Sequence, residues 1–413
     1  MKYIRMNPAV FTIFVLYMIC TPGGLSHGQD TAAKDTEEVY EWPMKACDAG
    51  WTGYSPDPRV KPPFRLKWAT QAGIAQRSSV SVGGGRVFSR NCCLNAETGE
   101  VLWKKYIGGN TPAFYKGRIY TGKSSVKAYD AATGEFLWTS ERGYASYSGA
   151  RGGLPITEGR IYGGGMRDHN GVKFYFACTL DAETGKEIWS TPLVPVKPRP
   201  DKKPHELGPG MGEMAVGGRL AVAVTYSPAM VFGLDQKTGR ELWRQAGMCA
   251  LVAPTTDGKS VWVTESTQGM WALEGKTGKK LWHWGRVWKS KGKKSALTLA
   301  HYARVGTARH PPAAAYGMLF ASNDGRYYTA IDAGTGKEIW IAGDKYGHTW
   351  AGSCGPPVAA GGYLYTSGTV GRDFQGRHYR YILSAVDHKT GKPVWKSVLS
   401  GKSCAQSPLK ILC

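Results

Sequence analysis

The chain has 413 residues, and its 53 Lys and Arg outnumber its 31 Asp and Glu, which gives a formal net charge of +22. A surplus of this size favours anionic partners such as phospholipid headgroups, acidic polysaccharides or an acidic protein, whereas no nucleic-acid recognition motif is present. There is no Cys-x-x-Cys pair, and no stretch beyond residue 20 reaches the ~18 apolar residues of a membrane-spanning helix. The sequence therefore argues against a common zinc site and against a transmembrane protein.

Residues 1–28 have the organisation of a secretory signal peptide. Two basic residues precede a short apolar core over Ala9–Cys20, and small residues stand before a cleavage position at Gln29. We therefore predict export to the periplasm or cell envelope of a bacterium. Lipid anchoring at Cys20 is the alternative, although the three residues before it include no small one.

A ten-residue pattern recurs seven times along the rest of the chain. Its clearest copy, Ile331–Trp340, has an apolar residue, Asp, two variable residues, Thr-Gly, two variable residues, an aliphatic residue and Trp. Such an Asp accepts hydrogen bonds from amides a few residues on, and the Gly takes a positive φ, so each copy is predicted to be a β-hairpin. The hairpins end at Trp103, Trp138, Trp189, Trp243, Trp282, Trp340 and Trp395.

The spacing of the hairpins predicts a β-propeller. Successive Thr-Gly dipeptides are separated by 35 to 58 residues, which suits a four-stranded propeller blade. We expect each terminal Trp to dock between adjacent blades. Residues 51–413 are thus predicted to form an all-β propeller of four-stranded blades, after a linker over residues 29–50. Eight blades are favoured, the last incomplete and closed by an N-terminal strand near Phe64–Trp68, and seven blades are the alternative.

The hairpin pattern resembles the pyrroloquinoline-quinone-type propeller repeat. That family includes quinoprotein alcohol dehydrogenases and cofactor-free relatives such as the lipoprotein of the outer-membrane β-barrel assembly machinery. The resemblance extends from about Trp51 to the C-terminus and implies the fold, but it leaves the activity open because enzymes and scaffolds share the repeat. An enzyme of this type would need a quinone, a calcium ion and an Asp acting as base, and no motif of this chain assigns residues to those roles.

Cys92 and Cys93 are adjacent and directly precede the first hairpin. Some quinoprotein alcohol dehydrogenases hold a strained ring disulfide between adjacent cysteines against the quinone, so a vicinal disulfide is one interpretation of this pair. On a pleated strand the two side chains point to opposite faces, which favours two separately buried thiols. In an oxidising compartment, further disulfides are open to the cysteines that remain after signal removal. These are Cys47, Cys92, Cys93, Cys178, Cys249, Cys354, Cys404 and Cys413.

Charged residues near the axial ends of the inner strands form the candidate ligand-binding group. In a propeller they would converge on the mouth of the central channel, where Arg side chains can hold a carboxylate or phosphate through paired hydrogen bonds. The alternative is that each one is solvated or paired separately. The candidates are Arg77, Arg151, Glu213, Arg309 and His310. Two basic insertions, Thr191–Met214 and His283–Pro312, are predicted to be surface loops and further candidates for binding.

Three functions remain open on the sequence. The favoured one is a non-catalytic envelope scaffold, monomeric and without cofactor or metal, that engages protein or peptide partners through loops and the channel mouth. The second is a periplasmic alcohol or sugar dehydrogenase that uses pyrroloquinoline quinone with calcium, and the third is a propeller that binds acidic glycans. An enzyme predicts a polar cavity on the axis, whereas a scaffold predicts an axis filled by apolar side chains.

Overall fold

The computed structural model describes residues 13–15, 41–65, 67–70, 80–109, 111–122, 125–140, 153–196, 211–226, 228–248, 250, 252–265, 269–285, 311–323, 327–342, 356–370 and 380–400. Over these ranges the chain forms strands and turns, arranged in seven antiparallel sheets of four consecutive strands. Each sheet is a meander, so strands adjacent in sequence are adjacent in space. No helix in this part of the chain is long and apolar enough to cross a membrane.

The seven sheets are numbered as blades 1–7 in chain order, and the strands of each are given from the first to the fourth. Blade 1 contains Ser81–Gly83, Arg86–Phe88, Cys92–Asn95 and Val101–Lys104, and blade 2 contains Ala113–Tyr115, Arg118–Gly122, Val126–Asp130 and Phe136–Thr139. Blade 3 contains Ile156–Thr157, Arg160–His169, Val172–Asp181 and Glu187–Pro195, and blade 4 contains Ala215–Gly217, Leu220–Tyr226, Ala229–Asp235 and Glu241–Ala246. Blade 5 contains Thr255–Thr256, Ser260–Glu265, Gly269–Glu274 and Lys280–Trp284, and blade 6 contains Ala313–Ala315, Met318–Asn323, Tyr327–Asp332 and Glu338–Ala342. Blade 7 contains Val358–Ala360, Tyr363–Val370, Arg380–Asp387 and Pro393–Ser400.

Two further pairings involve the N-terminal part of the chain. Tyr54–Ser55 adds a parallel fifth strand to the first strand of blade 7. Trp68–Thr70 pairs antiparallel with Ile13–Val15, which belongs to the predicted signal peptide. The first strands of neighbouring blades approach one another, as those of blades 1 and 2 do, and they are therefore the inner strands around the axis.

The predicted fold class, an all-β propeller of four-stranded blades, is confirmed. The complete blades among the described residues number seven, which is the count of the alternative prediction. The favoured count of eight included an incomplete blade built partly from the chain's last residues, and residues 401–413 lie outside the described ranges.

Five of the seven repeated hairpins are closed by an Asp, as in the hairpin of blade 4, whereas Asn95 takes this position in blade 1 and Glu274 in blade 5. The Asp235 carboxylate accepts hydrogen bonds from the amides of Lys237 (3.0 Å) and Thr238 (2.8 Å) and from the Thr238 hydroxyl (2.8 Å). Gly239 follows with a φ of +72°, a conformation that costs glycine nothing but costs other residues strain. The same Asp-to-Thr contacts recur at Asp130, Asp181, Asp332 and Asp387.

These hairpins give the fold a predictable response to acid. Hydrogen bonds from the Thr238 and Thr335 side chains, with the backbone amides beside them, hold the pKa of Asp235 and Asp332 below the usual 3.8. A carboxylate whose pKa is lowered by folding stabilises the fold above its unfolded pKa, and the contribution is lost as the pH falls through the lower folded value. We therefore expect the Tm, followed by circular dichroism, to fall as the pH drops below 3.8. A D235N/D332N variant should show a smaller fall, and an equal fall in both proteins would contradict this origin.

The repeated Trp side chains dock on the hairpin of the following blade. The Trp243 ring lies against Gly278 of blade 5, and its Nε1 donates to the Gly275 carbonyl at 2.8 Å. A Cβ added to Gly278 would lie 2.5 Å from the ring, so the Gly serves both the turn and the docking. The same ring-to-glycine pairs are Trp103–Gly134, Trp138–Gly185, Trp189–Gly239, Trp282–Gly336 and Trp340–Gly391.

The N-terminal segment closes the gap between the last blade and the first. Phe64 packs against Trp395 of blade 7 with ring centroids 5.1 Å apart, and the carbonyl of Val60 accepts a hydrogen bond from the Tyr365 hydroxyl at 2.9 Å. A few residues on, Trp68 lies against Gly99 of blade 1 and donates from Nε1 to the Ala96 carbonyl at 3.0 Å. Trp68 thus contacts the hairpin of blade 1 in the same way as each repeated Trp contacts the hairpin of the next blade.

Candidate functional site on the propeller axis

The centre of the propeller is occupied by the chain's own residues 41–55, here called the axial segment. Trp42 exchanges two backbone hydrogen bonds with Val82 on the inner strand of blade 1. The segment then offers its carbonyls to the inner strands of other blades. Amide-to-carbonyl bonds join Phe114 to Pro43 (2.6 Å), Val216 to Ala49 (2.7 Å), Thr256 to Gly50 (2.9 Å), Ala314 to Thr52 (2.7 Å) and Ala359 to Gly53 (2.9 Å). The axial segment is therefore bonded directly to blades 1, 2, 4, 5, 6 and 7.

Trp51 is the anchor of the axial segment. Its side chain is 2% exposed, packs with Ala215 and Ala253 of the blade wall, and donates from Nε1 to the Met214 carbonyl at 2.8 Å. The Nζ of Lys45 lies 4.6 Å from the centroid of the Trp51 ring, within the range of a cation–π contact. An indole buried among small residues, with its one polar atom satisfied, is a strong packing anchor.

Glu213 is the one channel-mouth candidate that falls within the described residues. Its side chain is 7% exposed and forms an ion pair with Lys45, 3.4 Å from Nζ to Oε1. The same carboxylate accepts a hydrogen bond from the Gly153 amide at 3.0 Å, just before the inner strand of blade 3. Glu213 thus holds the axial segment to the wall at blade 3. The other candidates, Arg77, Arg151, Arg309 and His310, lie outside the described residues, as do the central parts of both basic insertions.

The axial segment has an irregular backbone that its own side chains support. Ala46, Cys47 and Trp51 adopt positive φ values of 60°, 74° and 60°, which non-glycine residues rarely do. Asp48 accepts hydrogen bonds from the amide of Thr52 at 2.9 Å and from the Thr52 hydroxyl. Burial nevertheless raises the pKa of Asp48, because loss of water outweighs these bonds. Strained residues of this kind persist only where the surroundings hold them in place.

Two features of the described residues concern a quinone and calcium on the axis. The space at the centre of the inner strands is taken by the axial segment, with Trp51 and Ala49 buried in it. No group of three or more His, Cys, Asp or Glu that could hold a metal occurs within the described ranges. Sequence reasoning placed residues 41–50 in the linker and missed this arrangement. The small residues around Trp51 were the available signal, but they resemble any turn-rich loop.

Cys92 and Cys93 are both fully buried thiols on the third strand of blade 1, and no disulfide joins them. Cys92 packs with Trp42 and Val82, whereas Cys93 packs with Phe88 and Trp103. Burial raises the pKa of Cys92 despite a contact with the Ser89 hydroxyl, and it raises the pKa of Cys93 to about 12. Two thiols on opposite faces of the strand, protonated and dry, are packing residues in this structure.

This burial predicts the reactivity of the pair. Because the thiolate is the reactive form, Cys92 and Cys93 should resist alkylation by iodoacetamide in the native protein at pH 8 and react fully in denaturant. Peptide mass spectrometry of the two samples measures the difference. Modification in the native state, or a peptide two hydrogens lighter than the dithiol, would contradict separately buried thiols.

Comparison with known proteins places the chain among related propellers. The sequence model of the family described as outer membrane protein assembly factor BamB matches residues 58–164, 178–300 and 323–409. Among curated proteins, polyvinylalcohol dehydrogenase of Pseudomonas sp. is 24% identical over 237 residues, 50% of this chain and 37% of that protein. Quinohemoprotein alcohol dehydrogenase ADH-IIG of Pseudomonas putida is 27% identical over 219 residues, 44% of this chain and 30% of that protein. The chain therefore matches well under half the length of either relative.

Solved structures of both kinds share the fold. BamB from Moraxella catarrhalis superposes with a TM-score of 0.51 at 13% identity, covering 80% of this chain and 90% of that one. The quinohemoprotein alcohol dehydrogenase ADHIIG from Pseudomonas putida HK5 superposes with a TM-score of 0.60 at 15% identity, covering 89% of this chain and 75% of that one. The resemblance to a pyrroloquinoline-quinone-type propeller is thus confirmed. The solved structures that share the fold include an assembly factor and a dehydrogenase.

Proposed function

This chain belongs to the family of the outer membrane protein assembly factor BamB, and on that premise we propose that it is a non-catalytic scaffold of the bacterial cell envelope. It engages protein or peptide partners through its rim loops and channel mouth. The observation that carries this proposal is the occupied axis: Trp51 and the carbonyls of the axial segment fill the centre, where an enzyme of this fold would need a polar cavity. A rigid ring with variable loops is a suitable platform for binding.

A capture experiment tests the scaffold proposal. The tagged mature chain is cross-linked in an envelope extract, and bound proteins are identified by mass spectrometry against a denatured sample of the same chain. We expect one or a few envelope proteins to be retained by the folded chain alone. Cell fractionation tests the location, and the exported protein should begin at Gln29. Recovery of the chain only from the cytoplasm would contradict the proposal.

Dehydrogenase activity is the second candidate, favoured by the curated relatives that the chain resembles. Under the scaffold proposal, we expect no change in Tm when pyrroloquinoline quinone and calcium are added together, because the axial segment already fills the centre. Dye reduction with alcohols or aldose sugars should also remain at background. A rise in Tm that needs both additives, or dye reduction above background, would support the enzyme instead.

The net charge of +22 leaves acidic-glycan binding as a third candidate. It predicts salt-sensitive retention on an acidic polysaccharide column, since retention by charge weakens as salt screens it. A variant with Lys289, Lys291, Lys293 and Lys294 changed to Gln removes the basic cluster of the second insertion. If the wild type and this variant elute at the same salt concentration, that insertion is not a glycan site.

A further inference from the structure

The inner strands of the propeller present a ring of backbone donors to the axis. Within its four-stranded blade, each first strand has a neighbour on one side only, so half of its amides point away from the other three strands. The amides of Phe114, Val216, Thr256, Ala314 and Ala359 all point inward, and each finds its acceptor in the axial segment. Buried amides without a partner are costly, so these strands require a peptide backbone, or something that imitates one, at the centre.

The wall also selects the side chains of that peptide. At Gly50, a Cβ would overlap the carbonyl oxygen of Thr256, and at Gly53 it would lie 3.2 Å from the carbonyl oxygen of Pro357. The wall residue Gly153 is restricted in turn, because its Cβ would lie 2.9 Å from Lys45 and 3.2 Å from Trp51. Glycines in the axial segment and in the wall therefore allow the two backbones to approach closely enough for Trp51 to pack.

Two side chains of the axial segment fix its position and chain direction in the channel. Trp51 fills a pocket between Ala215 and Ala253 and bonds to the Met214 carbonyl. Lys45, six positions before it, pairs with the largely buried Glu213. A hydrogen-bonded backbone, one aromatic anchor and one paired charge are the features by which proteins bind extended peptides.

From these contacts we infer that the central channel is a peptide-binding site and that the axial segment is its intramolecular ligand. The class of ligand is an irregular, Gly- and Ala-rich peptide with a Trp anchor and a Lys six residues before it. The positive φ values of Ala46, Cys47 and Trp51 belong to the bound form, because the free peptide has no wall to hold them. This inference and the proposed scaffold role share the observation of an occupied axis, but the tests below measure release of the segment and not binding of an envelope partner.

Binding of the segment in trans tests the inference. In the full chain carrying Trp51→Ala, the axial segment lacks its anchor and is held less tightly in the channel. This variant is titrated with a fluorescent peptide of residues 41–57 in the presence of a reductant. We expect saturable binding to this variant and at least tenfold weaker binding to the wild type, whose channel is filled. A second peptide with Gly50→Val should bind the variant at least tenfold more weakly than the first. Failure of the first peptide to bind a variant with native circular dichroism would overturn the inference.

Hydrogen exchange of the wild type provides a test that needs no variant. The five inward amides, those of Phe114, Val216, Thr256, Ala314 and Ala359, should exchange together and faster than mid-blade amides such as that of Val222, because release of the segment exposes them without unfolding the sheets. If these five exchange no faster than the mid-blade amides, the segment is an inseparable part of the core and the inference fails. If the capture experiment retains no envelope protein, the scaffold proposal fails, but the peptide titration and the hydrogen exchange still test the inference.

Discussion

Replacing Trp243 by Ala should lower the free energy of unfolding by about 3–5 kcal/mol, the usual cost of emptying a large buried aromatic site. Trp243 is 7% exposed and lies between blades 4 and 5. The substitution also removes its hydrogen bond to the Gly275 carbonyl. The effect should be large because the ring belongs to an apolar cluster that joins the two blades, with Val231 from blade 4 and Leu273 from blade 5. Chemical denaturation followed by tryptophan fluorescence and circular dichroism measures the change.

Leu242 is the matched control for this substitution. It precedes Trp243 on the same strand, but its side chain is 41% exposed on the other face. Leu242→Ala should therefore cost less than about 1 kcal/mol, as is usual for a substitution outside the core. If the two variants lose similar stability, the repeated Trp does not act as the docking element between blades.

Replacing Gly278 by Ala is the second change with a large expected effect. Its φ of +70° disfavours any side chain by roughly 1–2 kcal/mol, and its Cβ would lie 2.5 Å from the Trp243 ring. Overpacking of this kind adds about 1–3 kcal/mol. We therefore expect a total loss of about 2–5 kcal/mol in the same denaturation experiment.

Gly171 separates the two contributions at Gly278. It has a φ of +77° in the turn of the long blade 3 hairpin, and no atom lies within 4 Å of its added Cβ. Gly171→Ala should cost only the backbone term of roughly 1–2 kcal/mol. In a Trp243→Ala background, the loss of stability caused by Gly278→Ala should fall to the same value, because the ring that its Cβ would meet is gone. A double-mutant cycle detects this coupling. Full additivity would show that the glycine and the ring do not interact.

The axial segment supplies the acceptors that the inward amides of this propeller need. A propeller surrounds an axis with inward amides, and those amides need a partner whatever the protein does. In this chain the partner is residues 41–55, with Trp51 at the centre.

The hairpins could be predicted from the sequence because their causes are local. Within ten residues, Asp235 closes its own turn, Gly239 supplies the positive φ and Trp243 lies on the strand that follows. The repetition then predicts the propeller, since units that cannot bury their own faces must stack. The opposite faces of Cys92 and Cys93 follow from the pleat of one strand in the same way.

The occupant of the axis was decided only by the tertiary structure. Residues 41–50 lack a periodic pattern, and their carbonyl acceptors, such as those of Ala49 and Gly50, meet the amides of Val216 and Thr256, which are distant in the chain. A carbonyl oxygen belongs to every residue, so its use leaves no mark on the sequence. Glu213 shows the same limit, because its ion pair with Lys45 spans 168 positions. Contacts within a turn are encoded by the residue types, whereas contacts made by backbone across the ring exist only once the ring has closed.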